Sequence, residues 1–235
     1  MKKQNKKLIL FDIDGTLIRH FGPEETINIG WYRFTHALNT VFHINVVPDP
    51  KPNYHGSVDR AILFDIAKGY GVTKEQFDEK WDEVKSAVIE YAHTKETKQI
   101  YEAIPEAVKL LHLVRKSPST YQVGILTGNV QKMAEWKLVH VGIDLSWFSL
   151  FVTSDDFEDR ISLAKSVFTK IENETDIYII GDAVGDIQCA HAIGATSIIA
   201  TTGRHKKDEL LAEKPTLLID SLMDERVLQL LELKT

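Results

Sequence analysis

The chain has 235 residues, 43% hydrophobic and 26% charged, enough for one good-sized domain or a core with a smaller insert. A formal net charge of −6 gives no basis for nucleic-acid binding, and the four lysines among the first seven residues read as a solvated tail. The single cysteine, Cys189, excludes an intrachain disulfide and fits a reducing cytoplasm, no run reaches membrane-spanning length, and the nine histidines lack zinc spacing.

Behind the lysines, Leu8-Ile9-Leu10-Phe11 reads as a buried parallel strand. The apolar run is too short for a signal peptide and leads into Asp12 and Asp14. Two acids ending a core strand are either an acidic turn or a site whose partner is a cation, because a buried charge needs one. Glu24–Phe42 carries Ile27, Trp31, Phe34, Leu38 and Val41 at helical spacing, with Pro23 suited to its start. Pro48, Pro50 and Pro52 force a loop over Val47–Asn53. Ser57 or Asp59 caps a second helix, with Ile62, Leu63 and Ile66, and Gly69 and Gly71 stop it. Thr73 and Gln76 form a capping box opening a long helix through Trp81 to about His93.

From there strands and helices alternate. Helices are predicted over Pro105–Lys116, Val130–Val141, Ile161–Ile171, Asp186–Ile193 and Ser221–Leu231. The strands between them are Tyr121–Leu126, Leu150–Thr153, Ile177–Ile180, Ser197–Ala200 and Thr216–Ile219. The expected fold is α/β: a Rossmann-like parallel sheet with helices on both faces, interrupted after its first strand by a helical insert. Residues 1–20 and 99–235 form the core, and 21–98 the insert.

In an open α/β sheet ligands sit beyond the carboxyl ends of the strands, so the residues there belong together. Besides Asp12 and Asp14 these are Thr127-Gly128-Asn129 and the acids Asp182 and Asp186. The Thr127 hydroxyl and the Gly128 and Asn129 amides, at a helix start, suit an anion. Asp186 can serve simply as a favourable partner of a helix N-terminus, whereas Asp182 has no such structural role.

The string Asp12-Ile13-Asp14-Gly15-Thr16-Leu17 resembles the first motif of the haloacid dehalogenase-like hydrolase superfamily. Leu126-Thr127 resembles its second motif and Gly181-Asp182-Ala183-Val184-Gly185-Asp186 its fourth, with Ala183 where the family often has Thr or Ser. The third is a Lys or Arg opening the helix before the fourth strand; Arg160 is favoured over Lys165, and the usual K-P is absent.

The resemblance implies that Asp12 is a nucleophile that becomes an aspartyl phosphate, and that Asp14 is the acid and then the base. It further implies Mg²⁺ held by Asp12, the Asp14 main-chain carbonyl and Asp182, with Asp186 close or bound through water. An acid at Asp14 argues against dehalogenase and phosphonatase activities. The insert resembles the helical C1 cap of the family, which favours a small phosphorylated metabolite. Within it, residues 55–60 resemble the specificity region of phosphoglycolate-phosphatase-like members, so that His55, Asp59 and Arg60 face substrate, the alternative being a helix cap at Ser57 or Asp59 with exposed neighbours. The expectation is a cytoplasmic Mg²⁺-dependent phosphatase, monomer or homodimer. A phosphomutase of the β-phosphoglucomutase type and a non-catalytic phospholigand-binding protein are the alternatives.

Overall fold

The computed structural model describes residues 6–21, 29–47, 56–96, 100–171 and 175–233. Its first elements are strands β1 (Lys7–Phe11) and β2 (Ile18–His20), followed by helices α1 (Ile29–Phe42), α2 (Asp59–Lys68), α3 (Lys74–Glu79) and α4 (Trp81–Lys95). Then come β3 (Tyr101–Ala103), α5 (Pro105–Arg115), β4 (Tyr121–Leu126), α6 (Gln131–His140), β5 (Leu150–Val152) and α7 (Arg160–Lys165). The chain continues through β6 (Asp176–Gly181), α8 (Val184–Ile193), β7 (Thr196–Ala200), α9 (Lys207–Ala212), β8 (Leu217–Ile219) and α10 (Glu225–Leu231).

Strand β1 lies inside a six-stranded sheet of order β5-β4-β1-β6-β7-β8, with every pairing parallel. Because strand side chains alternate, β1 is apolar on both faces and must be covered on both. Ile9 and Phe11 pack with α5, α6 and α10, whereas Leu8 and Leu10 pack with α7 and α8. All four are completely buried, which contributes roughly 1.5–3 kcal/mol for each side chain. The doubly covered parallel sheet is the architecture expected from the alternation of elements.

Helices α1–α4 form the insert, built around Leu38, Phe77, Trp81 and Val84. Val130, which caps α6, and Met133 within it belong to the same apolar cluster, so the insert sits directly on the helix that follows β4. At its neck β2 and β3 pair antiparallel, Ile18 opposite Ala103 and His20 opposite Tyr101. Unlike β5 and β8, which are as short but apolar throughout, Ile18-Arg19-His20 and Tyr101-Glu102-Ala103 carry no apolar run, and the sequence does not announce them.

Several boundaries differ from expectation. The capping box is formed: Thr73 accepts from the Gln76 amide and Gln76 from the Thr73 amide. The helix it opens stops at Glu79, however, because Lys80 leaves helical geometry with ψ at 11° and α4 starts anew at Trp81. The N-cap of α2 is Val58, and neither Ser57 nor Asp59 caps it. Helix α7 begins at Arg160, where Asp159 accepts from the Ser162 amide, and after Lys165 it gives way to a 3-10 turn over Ser166–Thr169. Helix α9 was not expected. Pro23 and the proline loop beyond Val47 lie outside the described residues.

Candidate active site

Phe11 stands opposite both Ile125 of β4 and Ile180 of β6. Asp12, Thr127 and Asp182 therefore leave their strands within one residue of the same level, at the sheet edge where α/β folds place ligands. The Asp12 amide continues the ladder to the Ile180 carbonyl at 2.9 Å, which fixes the backbone of that residue.

Asp12, Asp182 and Asp186 are all buried, and one carboxylate oxygen from each lies within 4.8 Å of the others. Asp186, in the first turn of α8, accepts the Asp182 and Ala183 amides at 3.1 and 3.0 Å. Thr16 donates to Asp182 Oδ1 at 3.0 Å. Arg160, first residue of α7, donates to Asp186 and brings Nη2 to 3.7 Å from Asp12 Oδ1. Burial opposes the Arg160 charge, and Asp186 and Asp12 more than restore it, so its pKa rises.

One guanidinium does not balance three buried acids. Burial, aided by the Asp186 charge and opposed by Arg160, pushes Asp12 up to about 7. Burial and the neighbouring Asp186 and Asp12 also raise Asp182 well above its ordinary value. An all-oxygen carboxylate cluster short of positive charge is the donor set that suits a hard divalent cation.

Asp14 is not part of this cluster. Its carboxylate meets Lys137 Nζ at 2.8 and 2.6 Å and Asn129 Nδ2 at 2.8 Å. Desolvation at the cavity wall acts to raise Asp14, but the Lys137 ammonium and the Asn129 amide outweigh it and hold the group below the usual carboxylate range. A metal role for Asp14 is thus left to its main-chain carbonyl. Lys137 is the functional side chain the sequence reading missed. A signal was present: Val130, Met133, Ala134, Lys137 and Leu138 form one helical stripe, and a lysine interrupts its apolar face.

Thr127 is fully buried and its hydroxyl accepts from Asn129 Nδ2 at 2.9 Å, so its own hydrogen remains to be donated. At the start of α6 the Asn129 amide meets the Thr127 hydroxyl at 3.4 Å, and the two amides beyond it are taken by acids. The Val130 amide donates to Asp59 at 2.9 Å and the Gln131 amide to Asp155 at 2.7 Å. Gly128 meets the insert: its carbonyl accepts the Asp59 amide at 2.7 Å, and a Cβ there would overlap the Ser57 carbonyl. Gly203 lies as close to Asp182, whose carboxylate a Cβ would overlap, and Thr202 beside it donates to the Gly15 carbonyl at 2.6 Å.

Asp12, Asp14, Thr127, Lys137, Arg160 and Asp182 line a cavity of about 550 Å³ between core and insert, which Arg33 and Tyr101 also border. Arg33 comes from α1 and bonds the Tyr101 hydroxyl at 3.2 Å. The residues expected to face substrate from the insert divide. Asp59 borders the cavity, but its carboxylate ties α6 to the insert, and burial, opposed by Lys137, pushes it up to about 6. Arg60 does not border it: the guanidinium bonds Asp78 at 2.9 Å and the Asp155 carbonyl at 3.3 Å and lies over the Trp81 ring. Its charge is thus used to fasten insert to core. His55 lies outside the described residues. Lys165 is exposed at the far end of α7, five positions beyond Arg160 and more than a turn from the acids, which corrects its candidacy as the third-motif cation.

A doubly wound parallel sheet with an acid cluster at the carboxyl ends of its central strands, beneath a helical insert, places an all-oxygen cation site where such folds bind ligands. Residues 9–200 match the haloacid dehalogenase-like hydrolase family, and the chain belongs to it. A comparison with curated proteins finds no match. A solved hydrolase from Pseudomonas syringae is 21% identical, with a TM-score of 0.62 over 97% of this chain and 98% of that one. A predicted phosphoglycolate phosphatase from Haemophilus somnus is 19% identical, TM-score 0.64, over 97% and 100%. A provisionally assigned β-phosphoglucomutase from Bacteroides vulgatus is 19% identical, TM-score 0.57, over 98% and 90%. At these identities the likeness is one of fold. Among the described residues no helix is long and apolar enough to cross a membrane.

Proposed function

We propose that the protein is a Mg²⁺-dependent phosphatase that hydrolyses a small phosphorylated metabolite through an aspartyl phosphate on Asp12. The observation that carries this reading is the buried Asp12, Asp182 and Asp186 cluster, with Arg160 against Asp12, whose Asp12 and Asp182 line a cavity shared by core and insert. Residues 1–20 and 99–235 act as the catalytic core and 21–98 as the cap.

Asp12, Asp182 and the Asp14 main-chain carbonyl would hold the ion, with Asp186 close or linked through water. When bound, Mg²⁺ supplies the positive charge that keeps Asp12 ionised and offsets charge on the phosphoryl oxygens. Arg160 adds to that charge from the side of α7, and Thr127 donates its hydroxyl hydrogen to a phosphoryl oxygen. An Asp12 oxygen bonds to phosphorus as the ester P–O bond breaks, and Asp14, ionised until it takes up the proton that the bound ester monoanion brings, gives that proton to the departing oxygen. Water then attacks the aspartyl phosphate, Asp14 takes its proton, and phosphate leaves with Asp12 restored. The cap limits bulk water around these steps.

Purified protein should hydrolyse p-nitrophenyl phosphate only with Mg²⁺, and Asp12→Asn should abolish turnover. Unchanged turnover in that variant refutes the mechanism. Conversion of a sugar 1-phosphate to the 6-phosphate faster than phosphate release identifies a mutase instead. Tight Mg²⁺-dependent binding of phosphate esters without turnover identifies a binding protein.

A further inference from the structure

Lys137 is only 6% exposed, yet the Asp14 side chain it holds is 47% exposed, open to the cavity. The three hydrogens of the Lys137 ammonium find three acceptors: Asp14 Oδ1 at 2.8 Å, Asp14 Oδ2 at 2.6 Å and Asn129 Oδ1 at 2.8 Å. Asn129 in turn donates to Asp14 Oδ2 at 2.8 Å and to Thr127 Oγ1 at 2.9 Å. Asp14, Lys137 and Asn129 thus close a ring of hydrogen bonds joined to Thr127.

Each carboxylate oxygen has two lone-pair sites. Among the described residues Oδ2 receives two donors and Oδ1 only one. We infer that Lys137 is a positioning residue that, with Asn129, locks the Asp14 carboxyl in one orientation and leaves Oδ1 as the oxygen that transfers the proton. This rests on the phosphatase reading above. The clamp matters at two points. It removes the rotamer freedom that a cavity-facing Asp otherwise keeps. It also sets a cation where negative charge develops as the Asp14 proton moves to the departing ester oxygen, whose electron pair comes from the broken P–O bond.

The test compares two aryl esters of similar size in the full-length protein with Mg²⁺. Nitrophenolate leaves readily without a proton, whereas phenolate leaves poorly. Lys137→Met should lower kcat on phenyl phosphate by about 100-fold, within the usual range for general acid catalysis. It should lower kcat on p-nitrophenyl phosphate by less than about 10-fold, with KM for both esters within about 3-fold of wild type. Lys137→Arg, which keeps the charge and donors, should recover most of the loss. Asn129→Ala removes the other tie to Oδ2 and should show the same dependence on leaving group, which settles the matter if Lys137→Met does not fold. Equal losses on both esters, or no loss, overturn the role given to Lys137. Failure of the wild type to turn over either ester instead refutes the phosphatase reading.

Discussion

Replacing Asp59 by Asn separates two jobs that this buried side chain performs. The carbonyl oxygen of Asn can still accept the Val130 amide, now bonded at 2.9 Å, but the group no longer ionises. Burial raises the Asp59 carboxyl from 3.8 to about 6, against the opposing pull of Lys137, the Val130 amide and Arg33. A folded-state value above the unfolded one favours the protonated fold. The stability associated with Asp59 is therefore fully present below about pH 3.8 and is lost as pH rises through about 6. The interval of about 2.2 pH units corresponds to about 3 kcal/mol. Asp59→Asn does not suffer that loss. The gap between variant and wild type should move in favour of the variant by about 2–3 kcal/mol between pH 4 and pH 8. For a chain of this length that is roughly 5–10 °C in Tm. Urea or thermal unfolding of both proteins at the two pH values measures it, and the difference cancels the other acids that titrate in the same range. A gap independent of pH, or one that moves toward wild type as pH rises, refutes the assignment of Asp59 as a buried, weakly compensated acid.

Gly203→Ala should push the Asp182 carboxylate out of the acid cluster, lowering phosphatase activity at least about 100-fold while the Tm falls by only a few degrees. Wild-type activity would show that the Asp182 orientation is not required. Arg160→Met should lower kcat by roughly 100-fold or more, whereas Lys165→Met should leave kcat within about 2-fold, since only Arg160 reaches Asp12. Steady-state kinetics of the two variants decide it, and the reverse ranking restores Lys165. Trp81→Phe removes the indole donor that meets the Asp155 carbonyl at 2.7 Å and should cost about 1 kcal/mol, near 2–4 °C in Tm. An unchanged Tm shows that this bond does not help hold the insert to the core.

What could be read from the chain was whatever short-range chemistry enforces. Leu8–Phe11 must be buried on both faces, so a parallel strand with two covered sides followed from four residues. Asp12 and Asp14 after that strand and Asp182 after β6 were conspicuous because nothing in a core accounts for them. The Thr73 and Gln76 box was legible because both bonds span three residues. The strands of the neck were not, because Ile18–His20 and Tyr101–Ala103 carry no apolar run and each holds its shape only by pairing with the other across more than eighty residues of chain.

The sequence by itself determined the α/β class, the interruption after the first strand, and the presence of Asp12, Asp14, Thr127, Asp182 and Asp186 at strand ends. Only the tertiary structure decided how those groups are divided. It set Asp12 with Asp182 and Asp186, and gave Asp14 to Lys137, 123 positions away. It also set Arg160, and not Lys165, against Asp12, and brought the Arg60 guanidinium to Asp78 and the Asp155 carbonyl. The physical reason is common to all of these. A buried charge requires a partner, and local sequence reveals the requirement. Which partner answers it depends on distances of a few ångströms between segments that are far apart in the chain, and those exist only once the sheet and the insert have packed together.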